Sequence, residues 1–329
     1  MKPRKHHQLW AALGFLLPNF LGFVLFTAGP VLFSLGVSFT NWNLQRTIPF
    51  RFIGLENFRE LASDQDFWLY FLNTVYLMLG IPIAIAGSLI LAILLSQRLR
   101  GIIAYRTLFY LPTFTSGVAL MILWKYLYNP DFGPINAAIN WCIQTFHVND
   151  VRHWLERGSV VAPNWLLSTK NLLGLDVERV GFAPRQWGIG ARDAIIYMGI
   201  WTAIGGSNML LYLAALSNVP QELYEAAEID GAGKWATFAH VTWPQLAPTT
   251  FFIIVMSFIG GLQGGFEQAR VMTAGGPAGT TTTLAYYIYT KAFQEFEIGY
   301  ASAISWVLFV IIFAVTLVNW RFGAKELSY

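Results

Sequence analysis

Between two apolar runs, residues 194–216 and 246–266, the chain reads Ser217-Asn-Val-Pro-Gln-Glu-Leu-Tyr-Glu-Ala-Ala-Glu-Ile-Asp-Gly-Ala-Gly-Lys-Trp-Ala-Thr-Phe-Ala-His-Val-Thr-Trp-Pro244. Locally this is two short helices joined at a glycine turn. Pro220 pre-sets the backbone for a first helical turn, and Glu222, Glu225 and Glu228 favour the positive end of its dipole. Gly231 and Gly233 break that helix, because glycine adopts a left-handed conformation at little cost. A second helix over 234–242 is expected to end before Pro244, which marks entry into the next apolar run. Both flanking runs are long enough to cross about 30 Å of hydrocarbon, so the helix-turn-helix projects from a membrane.

The composition agrees with that placement. Of 329 residues, 55% are apolar, 16% aromatic and only 12% charged, roughly half the charged share of a soluble domain. A surface facing water needs more charge than this, so the surface faces lipid. The mean hydropathy of +0.49 excludes a disordered chain, and a net charge of +3 leaves no dense basic patch for nucleic acid. The single cysteine, Cys142, excludes an internal disulfide and a cysteine-only metal site; it reads as a buried small apolar residue.

Six apolar runs have the length of a membrane helix. The first, 9–39, is broken by Pro18 and Pro30 and is expected to kink as it crosses. The second, 68–95, contains Pro82. The third, 105–128, is interrupted at Pro112, where Thr113, Thr115 and Ser116 can relieve the lost hydrogen bond. The last three are 194–216, 246–266 and 298–319. Lipid closes off open sheet edges, and the runs are too continuous for barrel strands, so helices are expected. The basic start resembles a secretory signal, but its apolar run far exceeds the ~7–15 residues of a signal core. It is read as an uncleaved first span.

Charge sets the orientation. Lys2, Arg4 and Lys5 precede the first span, Arg98, Arg100 and Arg106 lie between the second and third, and Arg321 and Lys325 follow the last. The positive-inside rule makes these cytoplasmic, with both termini on that side. On the opposite side Arg46, Arg51 and Arg59 are offset by Glu56, Glu60, Asp64 and Asp66, and the 129–193 segment is too long to vote.

Catalytic machinery is not legible. The sequence has no Walker-type loop ending in Lys-Ser or Lys-Thr, no His-Glu-x-x-His and no glycine-bounded serine elbow. His6, His7, His147, His153 and His240 are too scattered for a metal site. Ionisable residues within the runs are scarce, Glu267 and Lys125 being the clearest, and snorkelling to the interface accounts for both. Asn73, Ser116, Asn208, Gln263 and Glu267 are the candidates for a path taken by a hydroxyl-rich solute. Against them stands the use of such residues, with Thr74 and Thr115, as hydrogen-bonded packing between helices. Gly260, Gly261, Gly264 and Gly265 form overlapping small-xxx-small pairs, suited to internal packing or to a second membrane subunit.

Glu225-Ala226-Ala227, three residues, Gly231, nine residues and Val241-Thr242-Trp243-Pro244 resemble the EAA loop of binding-protein-dependent ABC importer permeases. There the pattern ends Ile-x-Leu-Pro; Val241 and Trp243 stand for its Ile and Leu. Residues 106–112 through 128–133, 272–277, 286–293 and 299–303 are similar to the carbohydrate-uptake permeases for oligosaccharides and glycerol-phosphate. The outer segment after Gly133 is longer than the loop usual there.

The resemblance implies a type I ABC importer permease fold. It implies an alternating-access path for a sugar or polyol, formed with a second homologous permease. Two copies of a cytoplasmic ATPase would bind the ATP, so no cofactor is expected on this chain, and an extracytoplasmic solute-binding protein would deliver the substrate. Glu225, Ala226, Ala227, Asp230, Gly231 and Pro244 are the implied coupling residues: Glu225 for polar contact, the alanines for close packing and Gly231 for the turn. The chain then divides into a basic cytoplasmic tail (1–8), a first span with an outer loop (9–67), a five-helix core (68–320) and a cytoplasmic tail (321–329). The core includes the outer segment 129–193 and the coupling loop 217–246. The bacterial inner membrane is the expected location, with lipid around the chain and no nucleic-acid partner. An ion-coupled secondary transporter or channel is the alternative, needing an intramembrane carboxylate such as Glu267. A membrane glycosyl transferase would need catalytic acids, for which Asp150, Glu156, Asp176 and Glu178 offer no motif.

Overall fold

The computed structural model describes residues 5–45, 49–97, 100–150, 159–174 and 187–323. Arg46, Arg98, His153, Glu156, Asp176, Glu178, Lys325 and the start of the basic tail, with Lys2 and Arg4, lie outside the described residues. Among the described residues there are helices and isolated bridges but no named strand. Five helices are long and apolar enough to cross a membrane: Ala12–Val37, Gln65–Ser96, Ala191–Ser217, Lys234–Gln263 and Ile298–Arg321. Two further helices, Ile102–Phe114 and Gly117–Leu127, are together apolar enough for a sixth span and are bent by 98° where they meet. The sequence marks that bend at Pro112, which here opens a short 3-10 turn, Leu111–Phe114.

Two prolines follow π turns, and at Pro244 the expected end of the helix is absent. The helix from Lys5 continues to Val37, with a π-helical turn at Val24–Ala28 just before Pro30. Likewise the segment after Gly233 does not stop before Pro244; it runs on as one helix, Lys234–Gln263, with a π turn at Phe238–Thr242. The reason is the same in both places. Proline clashes with the carbonyl four residues back, and a π turn shifts the bonding to five residues, as in Gly29 N–H to the Val24 carbonyl and Trp243 N–H to that of Phe238.

The chain forms two compact units, Met1–Asp64 with Ile288–Val310, and Gln65–Tyr287 with Ile311–Tyr329. In the first, Asn57 donates to the Ser38 and Thr40 carbonyls at 2.8 and 2.9 Å, fixing the turn that follows Val37. Tyr300 donates to Asp64 at 2.7 Å, and Lys291 pairs with Glu295 and Glu297 at 2.6 and 3.1 Å. Burial opposes the Lys291 charge, but these two carboxylates prevail and raise its pKa.

The second unit has two cores. Leu89, Ala92, Met209, Tyr212, Leu246 and Ile253 tie Gly80–Ser96 to Ser207–Ser217 and Trp243–Gln263. Met121, Trp124, Tyr128, Trp165, Met198 and Met272 form the other. Trp165 brings the outer segment into that second core: its indole N–H donates to Asn136 at 2.7 Å, and Asn136 donates to the Pro163 carbonyl at 3.2 Å. The helix Pro134–Thr145 is thereby fastened to the membrane helices at its first turn, while Cys142 near its end is exposed and not buried as its residue type suggests, because only the first turn is held against the core.

Candidate functional site

The 217–244 stretch folds as the helical hairpin its sequence describes. Pro220 stands just before Gln221–Ile229. At the far end Gly231 has φ +72°, its N–H donates to the Glu228 carbonyl at 3.0 Å, and the Ala232 N–H donates to that of Ala227 at 2.9 Å. This pair of bonds is a Schellman cap, and it gives the glycine at this position a physical reason: only a residue tolerant of positive φ closes the helix this way. Gly233 adopts an extended conformation and opens Lys234–Thr237. Tyr224 and Thr242 hydroxyls lie 3.2 Å apart and tie the two arms together.

Gln221–Ile229 buries none of its residues. Glu225, Ala226 and Asp230 are exposed, Ala227 is half-buried, and Pro244 lies exposed at the root of the second arm. Two apolar side chains are also held out into solvent, Ile229 at 86% and Trp235 at 78% exposure. Both stand beside the carboxylates of a segment closed by the Gly231 cap. Neither Ile229 nor Trp235 stands out in the sequence; an isolated apolar residue at the end of an acidic helix is the signal that points to the first.

A second polar site lies where two membrane helices break side by side. The bend at Thr115 and Ser116 separates Leu111–Phe114 from Gly117–Leu127, and Gly205 and Gly206 separate Ala191–Ile204 from Ser207–Ser217. Gly205 allows these breaks to meet, since a Cβ there would run into the Phe109 carbonyl oxygen. Between them is an open pocket of about 380 Å³ bordered by Thr113, Thr115, Thr202, Ser207 and Asn208. Hydroxyls and an amide share this border with Pro112, Leu120, Ala203 and Gly206, and charged side chains are absent from it.

Leu120, Thr202 and Ala203 also border a second cavity, of about 260 Å³. Most of its wall is apolar, with Thr74, Thr202, Gln268 and Thr283 as polar exceptions, and Gly260, Gly261, Gly264 and Gly265 also line it. Gly261 packs internally, because a Cβ there would lie 2.9 Å from Met78 Cγ, whereas a Cβ at Gly260 would meet nothing. The glycine run therefore serves close packing and cavity lining together.

The polar residues of the spans separate into different roles. Asn208 borders the pocket between the breaks. Ser116 is exposed at the start of Gly117–Leu127, and Gln263 is exposed at the end of its helix. Glu267 is exposed, with its carboxylate against Gly117 at the N-terminus of that same helix, where the dipole favours negative charge. Asn73 is fully buried and borders neither cavity. It donates to the Gly279 and Thr282 carbonyls at 2.8 and 3.0 Å, pinning a threonine-rich loop.

That loop and its supports are not legible in the sequence as a site. Thr280, Thr281, Thr282 and Thr283 are all buried. Thr74 accepts the Leu284 N–H at 3.0 Å, and Arg192 donates to the Thr280 carbonyl at 2.9 Å. Asp193, beside Arg192, accepts from Tyr76 at 2.6 Å and from the Gly190 N–H at 3.1 Å. Thr283 presents one edge of this framework to the 260 Å³ cavity. Among the described residues no cluster of three His, Cys, Asp or Glu side chains stands ready to hold a metal.

A bundle of apolar helices with facing breaks in two of them and a capped polar hairpin defines a multi-span membrane transport protein. More narrowly, the chain belongs to the family of binding-protein-dependent transport system inner membrane components, whose model matches residues 65–322. It is therefore a transport subunit and not an enzyme. It is 32% identical to the probable ABC transporter permease protein YesP of Bacillus subtilis, over 97% of this chain and 92% of that one. Identity to the sn-glycerol-3-phosphate transport system permease protein UgpA of Pectobacterium atrosepticum is 28%, over 97% and 96%. The fold is that of a bacterial ABC transporter involved in the import of the acidic polysaccharide alginate: TM-score 0.74, 22% identity, 97% and 96% of the two chains covered.

Proposed function

We propose that this chain is one of two membrane subunits of an ATP-driven importer that carries a sugar or related polyol inward by alternating access. The observation that carries the reading is a single helix, Lys234–Gln263, 30 residues long. At one end it is the second arm of the hairpin; at the other it supplies Gly260 and Gly261 to the cavity wall. At 1.5 Å per residue it spans about 45 Å, so a push on the exposed hairpin is delivered to the cavity without a flexible joint other than the π turn at Phe238–Thr242.

In this reading the hairpin faces the cytoplasm and receives an ATPase subunit. Glu225, Asp230 and the exposed Ile229 and Trp235 make the contact, Ala226 and Ala227 admit close packing, and the Gly231 cap and Pro244 hold the geometry. ATP is bound by that partner, present in two copies, and a second homologous permease completes the path. An extracytoplasmic binding protein delivers the solute, in keeping with the family's dependence on one. Both termini are cytoplasmic, in the inner membrane.

The solute passes the pocket between the helix breaks and the 260 Å³ cavity that shares Thr202 with it. Broken helices leave backbone groups without intrahelical partners at membrane depth, which is tolerated where they line a cavity. With hydroxyl and amide neighbours they suit a neutral, hydroxyl-rich substrate. The cargo named for one relative, sn-glycerol-3-phosphate, is hydroxyl-rich as well, and carries a phosphate besides. Glu267 is exposed, lies against Gly117 and borders neither cavity, which leaves ion coupling without a carboxylate on the walls of this path.

Reconstitution into liposomes with the partner permease, ATPase and binding protein tests this. Uptake is expected to require internal ATP, the ATPase and the binding protein together. Uptake that persists without the ATPase and collapses with the ion gradient would establish the ion-coupled alternative.

A further inference from the structure

A groove of about 910 Å³ lies between the hairpin and the ends of the membrane helices. Gly80–Ser96 and Ser207–Ser217 end at it, so it sits at the boundary between hydrocarbon and water. Its lining includes the apolar side chains of Ile93, Leu210, Leu213 and Phe238, together with two cations, Arg106 and Lys234, and one carboxylate, Glu228. Arg106 keeps Nε and one terminal nitrogen on the Leu95 carbonyl, the latter at 2.7 Å, which fixes its guanidinium at the groove rim.

We propose that this groove binds one singly charged anionic phospholipid, its phosphodiester held between Arg106 and Lys234 and an acyl chain laid on Ile93, Leu210 and Leu213. The charge count selects the ligand. Two cations and one carboxylate leave a net single positive charge, which matches one phosphodiester and not a free, doubly charged phosphate. The apolar side chains of the lining give the acyl chain a place that a soluble anion has no use for. Anionic lipid is concentrated in the cytoplasmic leaflet, so the inference rests on the cytoplasmic placement of the hairpin. The consequence is that the lipid wedges the first arm, through Tyr224 and Glu228, against the membrane helices and stiffens the hairpin.

Native mass spectrometry of the assembled transporter, released from nanodiscs of phosphatidylcholine with phosphatidylglycerol, tests the site. The expected result is retained phosphatidylglycerol, with retention about fivefold weaker in Lys234→Gln and weaker again in Arg106→Gln/Lys234→Gln. Arg106→Lys keeps the charge and is expected to keep the lipid, which separates charge from the loss of the Leu95 contact. Added inorganic phosphate is expected not to displace it. Equal retention by wild type and the double variant, or displacement by phosphate, overturns the proposal. Because the readout is bound lipid, it is independent of ATP coupling: loss of lipid binding with intact ATP-driven uptake refutes only this inference, and the reverse refutes only the importer reading.

Discussion

The hairpin at 217–244 and the threonine-rich loop at 273–283 are both polar turns set against long apolar helices, and both rely on left-handed backbone. Gly231 supplies it in the first, at φ +72°; Ala274, Gly275, Ala278 and Gly279 supply it in the second. Their surroundings are opposite. The first arm of the hairpin has no buried residue, while Thr280–Thr283 are buried and their loop is gripped from two helices by Asn73, Thr74 and Arg192. The loop is held by distant parts of the chain, whereas the hairpin is left open at the surface. The internal grip is not complete: Asn73 Oδ1 and both terminal nitrogens of Arg192 are buried without a hydrogen-bond partner, a cost within lipid that the bonds to the loop carbonyls offset only in part.

Substitutions can break the comparison from either side. Asn73→Leu strips donors from two buried carbonyls and should cost about 3 kcal/mol, read as a lower melting temperature of the purified protein in detergent; an unchanged melting temperature would show that the loop does not depend on that grip. Gly231→Val is the smaller perturbation of stability, about 1–2 kcal/mol for a β-carbon at positive φ, in a region with open space around the glycine. Membrane insertion should therefore survive, while substrate-stimulated ATP hydrolysis falls about tenfold or more, since a hairpin displaced by even about 1.4 kcal/mol of lost contact binds roughly tenfold more weakly. Normal coupling in that variant would remove the lever. Asn208→Leu, which alters the pocket between the helix breaks, should have the smallest effect: about a fivefold rise in the substrate concentration for half-maximal uptake, the worth of one hydrogen bond, with ATP coupling intact.

The same contrast governs what can be read from the sequence. The hairpin is legible because its determinants are local: a proline, three glutamates and two glycines act within the one stretch 217–244. The spans are legible from length and apolarity, and Pro112 correctly marks the break in the third. Pro244 misleads, because proline says only that a carbonyl must move, and the π turn at Phe238–Thr242 moves it without ending the helix. The loop at 273–283 is illegible because its partners, Asn73, Thr74 and Arg192, come from distant parts of the chain. Asn73 looks in sequence like any polar residue in a span, and only its two long-range bonds separate packing from path. Likewise Asn136 and Trp165, which fasten the outer segment, lie far enough apart that no spacing joins them.

If the hairpin is the surface that receives the ATPase, site-directed cross-linking detects it most directly. Cys142 is the only cysteine, so Glu225→Cys in a Cys142→Ser background gives one thiol on the hairpin of the assembled transporter. With single cysteines placed across the surface of the ATPase subunit, the expected result is a cross-link to that subunit whose yield changes when ATP is added. Absence of any cross-link to the ATPase, together with labelling of Glu225→Cys in intact cells by a thiol reagent that cannot cross the membrane, would contradict it.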